Sequence, residues 1–276
     1  MPRLAVTVGP GPPRFNSELW LVRPDGKGAM RVVRTRTVGI ADPTWAPDRR
    51  RLAFVVIRNP IASDIGSIVV TNVDGALRRR VGGGFAPASS PAWSPDGRSI
   101  AFTRTGKLGA TVWVVRPDGR GAHRLVAGSD PAWSPDSKRL AFSRGGWIDV
   151  VNRDGSGLRQ LTSAPTDCDM PGPEEGGDDS DPDWSPDGKA IAFVRHCDEL
   201  SSGDFDRIMV VSPAGSSLRS LTAGPDNVSP SWSPDGRTLA FVRQPRLYTI
   251  HADGTHERGV FAPRGREVYQ VAWFRH

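Results

Sequence analysis

Apolar positions along this chain come in short alternating runs rather than in helical stripes. Leu4-Ala5-Val6, Leu52-Ala53-Phe54, Ile100-Ala101-Phe102, Leu140-Ala141-Phe142, Ile191-Ala192-Phe193 and Leu239-Ala240-Phe241 recur at intervals. A second set of apolar runs follows at 19–22, 68–70, 112–115, 147–151, 208–211 and 247–250, usually leading into Asp-Gly. Seven residues beyond that Asp, or beyond Ala214 where it is missing, stands a third aliphatic position: Val32, Val81, Leu125, Leu161, Leu221, Val260. Runs of this length bounded by Gly, Pro and Asp predict strands.

The strands belong to a repeat. Pro-x-Trp-Ser-Pro-Asp-Gly occurs at 91–97, 182–188 and 230–236, with looser copies at 43–49 and 131–137. Trp45, Trp93, Trp133, Trp184, Trp232 and Trp273 mark six copies, 40 to 51 residues apart. That is the period of a four-stranded propeller blade. Proline presets φ for a type I turn, and glycine takes the left-handed position that closes the hairpin. Arg49 and Ser137 stand in that glycine position in two copies, at roughly 1 kcal/mol each if the geometry is kept. The expected fold is all-β: one six-bladed β-propeller domain over residues 1–276, with four antiparallel strands per blade. Arg3-Leu4-Ala5-Val6 matches Arg51-Leu52-Ala53-Phe54, and counting circularly from Trp273 to Leu4 gives the usual seven steps. The last blade should therefore pair a C-terminal inner strand with N-terminal strands, which leaves no open edge at the closure.

The motif Trp-Ser-Pro-Asp-Gly-(Arg/Lys)-x-(Ile/Leu)-Ala-Phe resembles the repeat of the TolB-like β-propellers, relatives of WD-repeat propellers. The resemblance spans essentially the whole chain. It implies a disc whose central channel binds proteins, peptides or small ligands. The α/β N-terminal domain of the periplasmic TolB proteins is not expected in these residues, so the resemblance by itself does not imply their envelope role.

Composition sharpens this. The chain has 31 Gly and 25 Pro, as turn-rich β structure requires, and a net charge of +6 that is nearly all arginine. In each blade the a–b and c–d turns are short and lie on one face, whereas the b–c and d–a connections vary and lie on the other. Variable loops on a rigid scaffold carry function, which puts the working site on the b–c/d–a face. Two acidic segments fall there, 165–181 and 196–206, each with one cysteine. A Cys168–Cys197 disulfide would staple them and imply an oxidising, extracytoplasmic compartment; two unpaired thiols are the alternative.

Crowded carboxylates favour a cation or a basic partner, and oxygen-rich clusters suit Ca²⁺. Asp179, Asp181 and Asp183 copy the start of a calcium loop, but Trp184 and Ala190 break the rest of that pattern, so an irregular cation site or a solvated acidic loop remains. Asp183 stands where other blades carry Thr44, Ala92, Ala132, Ser231 or Ala272, and strand alternation points it at the channel. Asp42, Asp130 and Asp181 join it as channel-mouth candidates, although Asp before Pro also begins turns. Arg104, Arg144, Arg195 and Arg243 each follow the blade Phe by two residues. They are candidates for the channel ligand, or for pairing with Asp130, Asp181 or backbone carbonyls. Arg49–51 and Arg78–80 form one further cluster near the stereotyped face, able to hold an anionic surface.

Gly-x-Ser-x-Gly, the P-loop and His-Glu-x-x-His are all missing, and of the histidines only His196 falls in a loop of the working face. The expectation is a binding module for a protein, a peptide (a basic one as a candidate) or another ligand, with Ca²⁺ as a candidate cofactor and a monomeric state. An enzyme acting on saccharides or peptides and a cytosolic scaffold are the competing classes. Arginines without interleaved aromatics argue against nucleic acid, no apolar run is long enough to span a membrane, and the first residues lack the roughly 7–15-residue apolar core of a secretory leader.

Overall fold

The computed structural model describes residues 3–10, 17–36, 38–58, 66–75, 78–81, 87–163, 178–197, 205–224 and 226–274. Strands β1 (Leu4–Gly9), β2 (Glu18–Val22) and β3 (Met30–Arg34) open the chain. Blade 1 comprises β4 (Gly39–Trp45), β5 (Arg51–Ile57), β6 (Gly66–Asn72) and β7 (Arg78–Val81). Blade 2 comprises β8 (Ala88–Trp93), β9 (Ile100–Gly106), β10 (Gly109–Val115) and β11 (His123–Ala127). Blade 3 runs β12 (Ser129–Trp133), β13 (Arg139–Arg144), β14 (Trp147–Asn152) and β15 (Arg159–Gln160). Blade 4 runs β16 (Asp179–Trp184), β17 (Ile191–Cys197), β18 (Phe205–Val211) and β19 (Arg219–Ser220). Blade 5 runs β20 (Asn227–Trp232), β21 (Thr238–Arg243), β22 (Arg246–His251) and β23 (Arg258–Phe261), and the last strand is β24 (Glu267–Trp273).

Each blade is a four-stranded antiparallel sheet in sequence order, except the sixth, which is ordered β24-β1-β2-β3. Leu4 pairs with Trp273, just as Leu52 pairs with Trp45 in blade 1, so the circular count of the sequence is the register of the closure.

The core consists of six apolar layers between neighbouring blades. Trp184 packs with Ala141, Ile148 and Val150 of blade 3, and Trp232 with Ala192, Val194 and Ile208 of blade 4. Each motif Trp thus cements its own blade to the preceding one, which is why the aromatic recurs in phase.

The a–b turns explain the rest of the motif. The Ser185 hydroxyl donates to Asp187 Oδ1 at 2.6 Å and accepts the Ala190 backbone N–H at 2.9 Å. Ser94, Ser134 and Ser233 make the same pair of bonds. Blade 1 has Ala46 in the serine position, and there Arg51 holds Asp48 at 2.6 Å instead. Arg49 and Ser137 keep the left-handed geometry of the glycines they replace, with φ of 60° and 59°. Neighbouring turns touch: a Cβ added at Gly188 would lie 3.3 Å from Pro135 of the blade before it.

Candidate functional site

The inner strands of all six blades line one cavity of about 160 Å³ on the propeller axis. At its mouth lies a ring of six side chains, one per blade: Asp42, Ser90, Asp130, Asp181, Ser229 and Gln270. The first five take left-handed backbone, with φ between 49° and 56°. Each sits in a β-bulge, marked by register shifts between Ala41 and Thr44, Ser89 and Ala92, Ser129 and Ala132, Ser180 and Asp183, and Val228 and Ser231. A bulge re-aims a side chain and reverses strand parity beyond it. Asp tolerates the left-handed region better than most residues.

Four of the six ring residues are tied together. Gln270 donates to Asp42 Oδ1 and accepts the Asp42 backbone N–H at 2.7 Å. Asp42 Oδ2 accepts the Ser90 backbone N–H at 2.8 Å, and the Ser90 hydroxyl donates to Asp130 at 2.6 Å. Ser129 supplies a second donor to Asp130 at 2.8 Å. The Asp181 carboxyl has no hydrogen-bond partner among the described residues. Burial pushes its pKa up to about 8, with the charges of Asp130, Asp42 and Asp206 adding to the rise. By surface area the Asp181 side chain is exposed to the channel, so solvent screening cuts the effect well below what burial would give.

The expected trio of Asp179, Asp181 and Asp183 does not converge. Asp183 pairs with Ala192 while Asp179 pairs with Arg195, so the intervening bulge puts the two carboxylates on opposite faces of the strand. Asp179 is buried in a bidentate ion pair with Arg195, at 2.8 and 2.9 Å. Asp183 lines the cavity, and its Oδ2 accepts the Trp232 backbone N–H at 2.8 Å. In the same position Ser231 accepts from Trp273 N at 2.9 Å, so Asp183 also latches blade 4 to blade 5. Among the described residues no group of three or more His, Cys, Asp or Glu is arranged to hold a metal ion.

The arginine set is taken up inside the blades. Arg144 pairs with Asp149, and Arg243 reaches Asn227 at 2.9 Å and Glu257 at 2.7 Å. Arg104 lies over the Trp113 ring at 4.7 Å. The carboxylate partners are thus Asp179, Asp149 and Glu257 rather than the expected Asp181 and Asp130, because the bulge turns the ring acids towards the axis; the expected backbone carbonyl is found at Arg243, which donates to the Ala223 carbonyl at 3.1 Å. Cys197, buried at the end of β17, is not a free thiol; Cys168 lies outside the described residues, as does much of the acidic segment 165–181. Residue-by-residue reading missed Ser90, Ser229 and Gln270. Their signal is the residue two before each alanine-like position and three before the motif Trp, in the same phase as the acids. His196 meets Asp206 at 2.7 Å, and the Asp206 charge acts on Asp181 of the ring.

Six four-stranded blades around an axial cavity with a polar mouth define a six-bladed β-propeller. The TolB beta propeller domain family matches residues 9–275, and the chain belongs to that family. TolB from Acinetobacter baumannii superimposes with a TM-score of 0.80 at 23% identity, over 100% of this chain and 67% of that one. An oligogalacturonate lyase from Vibrio parahaemolyticus aligns with a TM-score of 0.55 at 13% identity, over 90% of this chain and 72% of that one. The uncharacterized protein Atu1656 of Agrobacterium fabrum is 28% identical over 55% of this chain, and the uncharacterized peptidase YuxL of Bacillus subtilis 29% identical over 32%. The chain spans only 53% and 13% of the length of those two relatives. No helix among the described residues is long and apolar enough to cross a membrane.

Proposed function

We propose that this propeller is a non-catalytic binding module whose channel mouth grips a cationic group, most simply a lysine or arginine side chain of a protein or peptide partner. The observation that carries the reading is the Asp181 carboxyl without a hydrogen-bond partner among the described residues, with the charges of Asp130 on the neighbouring blade and Asp42 on the opposite one acting on it. An incoming positive charge relieves that repulsion and supplies the missing partner. Ca²⁺ is the smaller alternative cation. It needs six to eight close oxygens, and the separation of Asp179 from Asp183 favours an organic cation. A disulfide between Cys197 and Cys168 would staple the neighbouring loops and place the protein outside the cytoplasm; Cys197 not being a free thiol supports this. Thiol titration of the denatured chain should then find no reactive cysteine.

The test is calorimetric titration with hexalysine and, separately, with Ca²⁺. Saturable hexalysine binding that weakens with salt and is lost in Asp181→Asn is the expected result. Hexalysine binding that survives Asp181→Asn, or no binding at all, refutes the site. The His196–Asp206 pair keeps one enzymatic reading in play, a channel-mouth general base. It predicts turnover of a saccharide or peptide that is abolished in His196→Ala.

A further inference from the structure

The opposite face carries an arginine cluster that the channel reading leaves unused. Around the rim, arginines of the outer strands close the gaps between blades. Arg159 of β15 donates to the carbonyls of Pro213 and Ala214, and Arg219 of β19 to that of Ala252. Between blades 1 and 2 the corresponding gap stays open as a cleft of about 490 Å³. Arg51, Arg79, Arg98 and Arg116 line it, contributed by β5, β7 and the two turns of blade 2. Asp118 is the one carboxylate in the wall among the described residues, and its Oδ1 already accepts the Arg120 backbone N–H.

Arg51 is committed to Asp48. Arg79, Arg98 and Arg116 are exposed, and no ion pair holds them among the described residues. Arg50, Arg78, Arg80 and Arg120 extend the positive rim, all exposed. Guanidinium groups this close repel one another unless an anion lies between them. Their planar forks match the oxygens of phosphate groups two at a time.

We propose that this inter-blade cleft binds a multiply charged phosphate-type oxyanion, held by Arg79, Arg98 and Arg116 with Arg51 behind them. The acidic channel mouth on the other face repels such a ligand, so the two sites are separable. Calorimetric titration of the full chain with inorganic tripolyphosphate, at low and at physiological ionic strength, tests it. Arg79→Glu and Arg98→Glu are the site variants. Arg237→Glu is the control, because Arg237 occupies in the blade 5 turn the position of Arg98 in blade 2 and is likewise exposed. The expected result is one saturable site, weakened by salt, with Kd raised about tenfold or more in each site variant and unchanged in the control. Melting temperatures without anion check folding, and the milder Arg98→Gln with Arg116→Gln replaces any variant that fails to fold. Absence of saturable binding overturns the proposal. Equal loss in Arg237→Glu overturns it too, since the attraction would then be that of a diffuse positive surface.

Discussion

Asp181→Asn isolates the electrostatics of the channel mouth. In the folded protein the Asp181 pKa is raised to about 8, first by burial and then by Asp130, Asp42 and Asp206. In the unfolded chain the carboxyl titrates near 3.8. Between those values the unfolded chain has lost the proton that the folded chain still holds. Stability therefore falls as pH rises from about 4 towards 8, and levels off above that. A tenfold change in proton affinity is worth about 1.4 kcal/mol, but the Asp181 side chain is exposed and therefore screened by solvent, and we expect a net loss of only about 1–2 kcal/mol across the window. Asparagine keeps the shape and cannot ionise. Wild type and variant should be close at pH 5, and at pH 8 the variant should melt higher by about 2–5 °C. Scanning calorimetry in EDTA between pH 5 and 9 measures this. With hexalysine present at pH 8 the order should reverse, because only the wild type has a carboxylate to neutralise. A difference between the two proteins that is the same at every pH would refute the reasoning.

Asp179→Ala takes the bidentate carboxylate away from Arg195, whose side chain is 1% exposed; the loss should be about 3–5 kcal/mol by chemical denaturation, more than for Asp149 or Glu257, whose arginine partners are 42% and 25% exposed. Ser185→Ala removes two hydrogen bonds made by a buried hydroxyl and should cost about 1–2 kcal/mol. The Ser185 hydroxyl, then the Lys189 backbone N–H, lowers the Asp187 pKa, so the deficit should be full above about pH 4 and shrink as pH falls below it, read from acid unfolding curves. Arg49→Gly relieves a left-handed residue at the expense of the stack of Arg49 on Phe274 at 4.5 Å; a net gain of about 0.5–1 kcal/mol in thermal unfolding is expected.

The repeat alone determined the architecture. Trp, Leu/Ile-Ala-Phe and Asp-Gly recur in fixed phase because every blade must bury the same two faces against its neighbours, so a single period reports blade number, strand order and even the Leu4–Trp273 closure. The turn chemistry was equally legible, since Ser-Pro-Asp-Gly closes its own hydrogen bonds within a few residues. The acids of the channel could be named from sequence, but their roles could not. Simple alternation put Asp179, Asp181 and Asp183 on one side. A one-residue bulge in β16 sends Asp179 to Arg195, Asp183 to the Trp232 amide and leaves Asp181 alone at the mouth. The cleft between blades 1 and 2 is of the same kind: Arg51, Arg79, Arg98 and Arg116 are scattered along the chain and meet only where two blades pack. Local pattern fixes what a strand buries. Which polar groups face one another depends on register shifts and blade-to-blade contacts, and these exist only once the ring has closed.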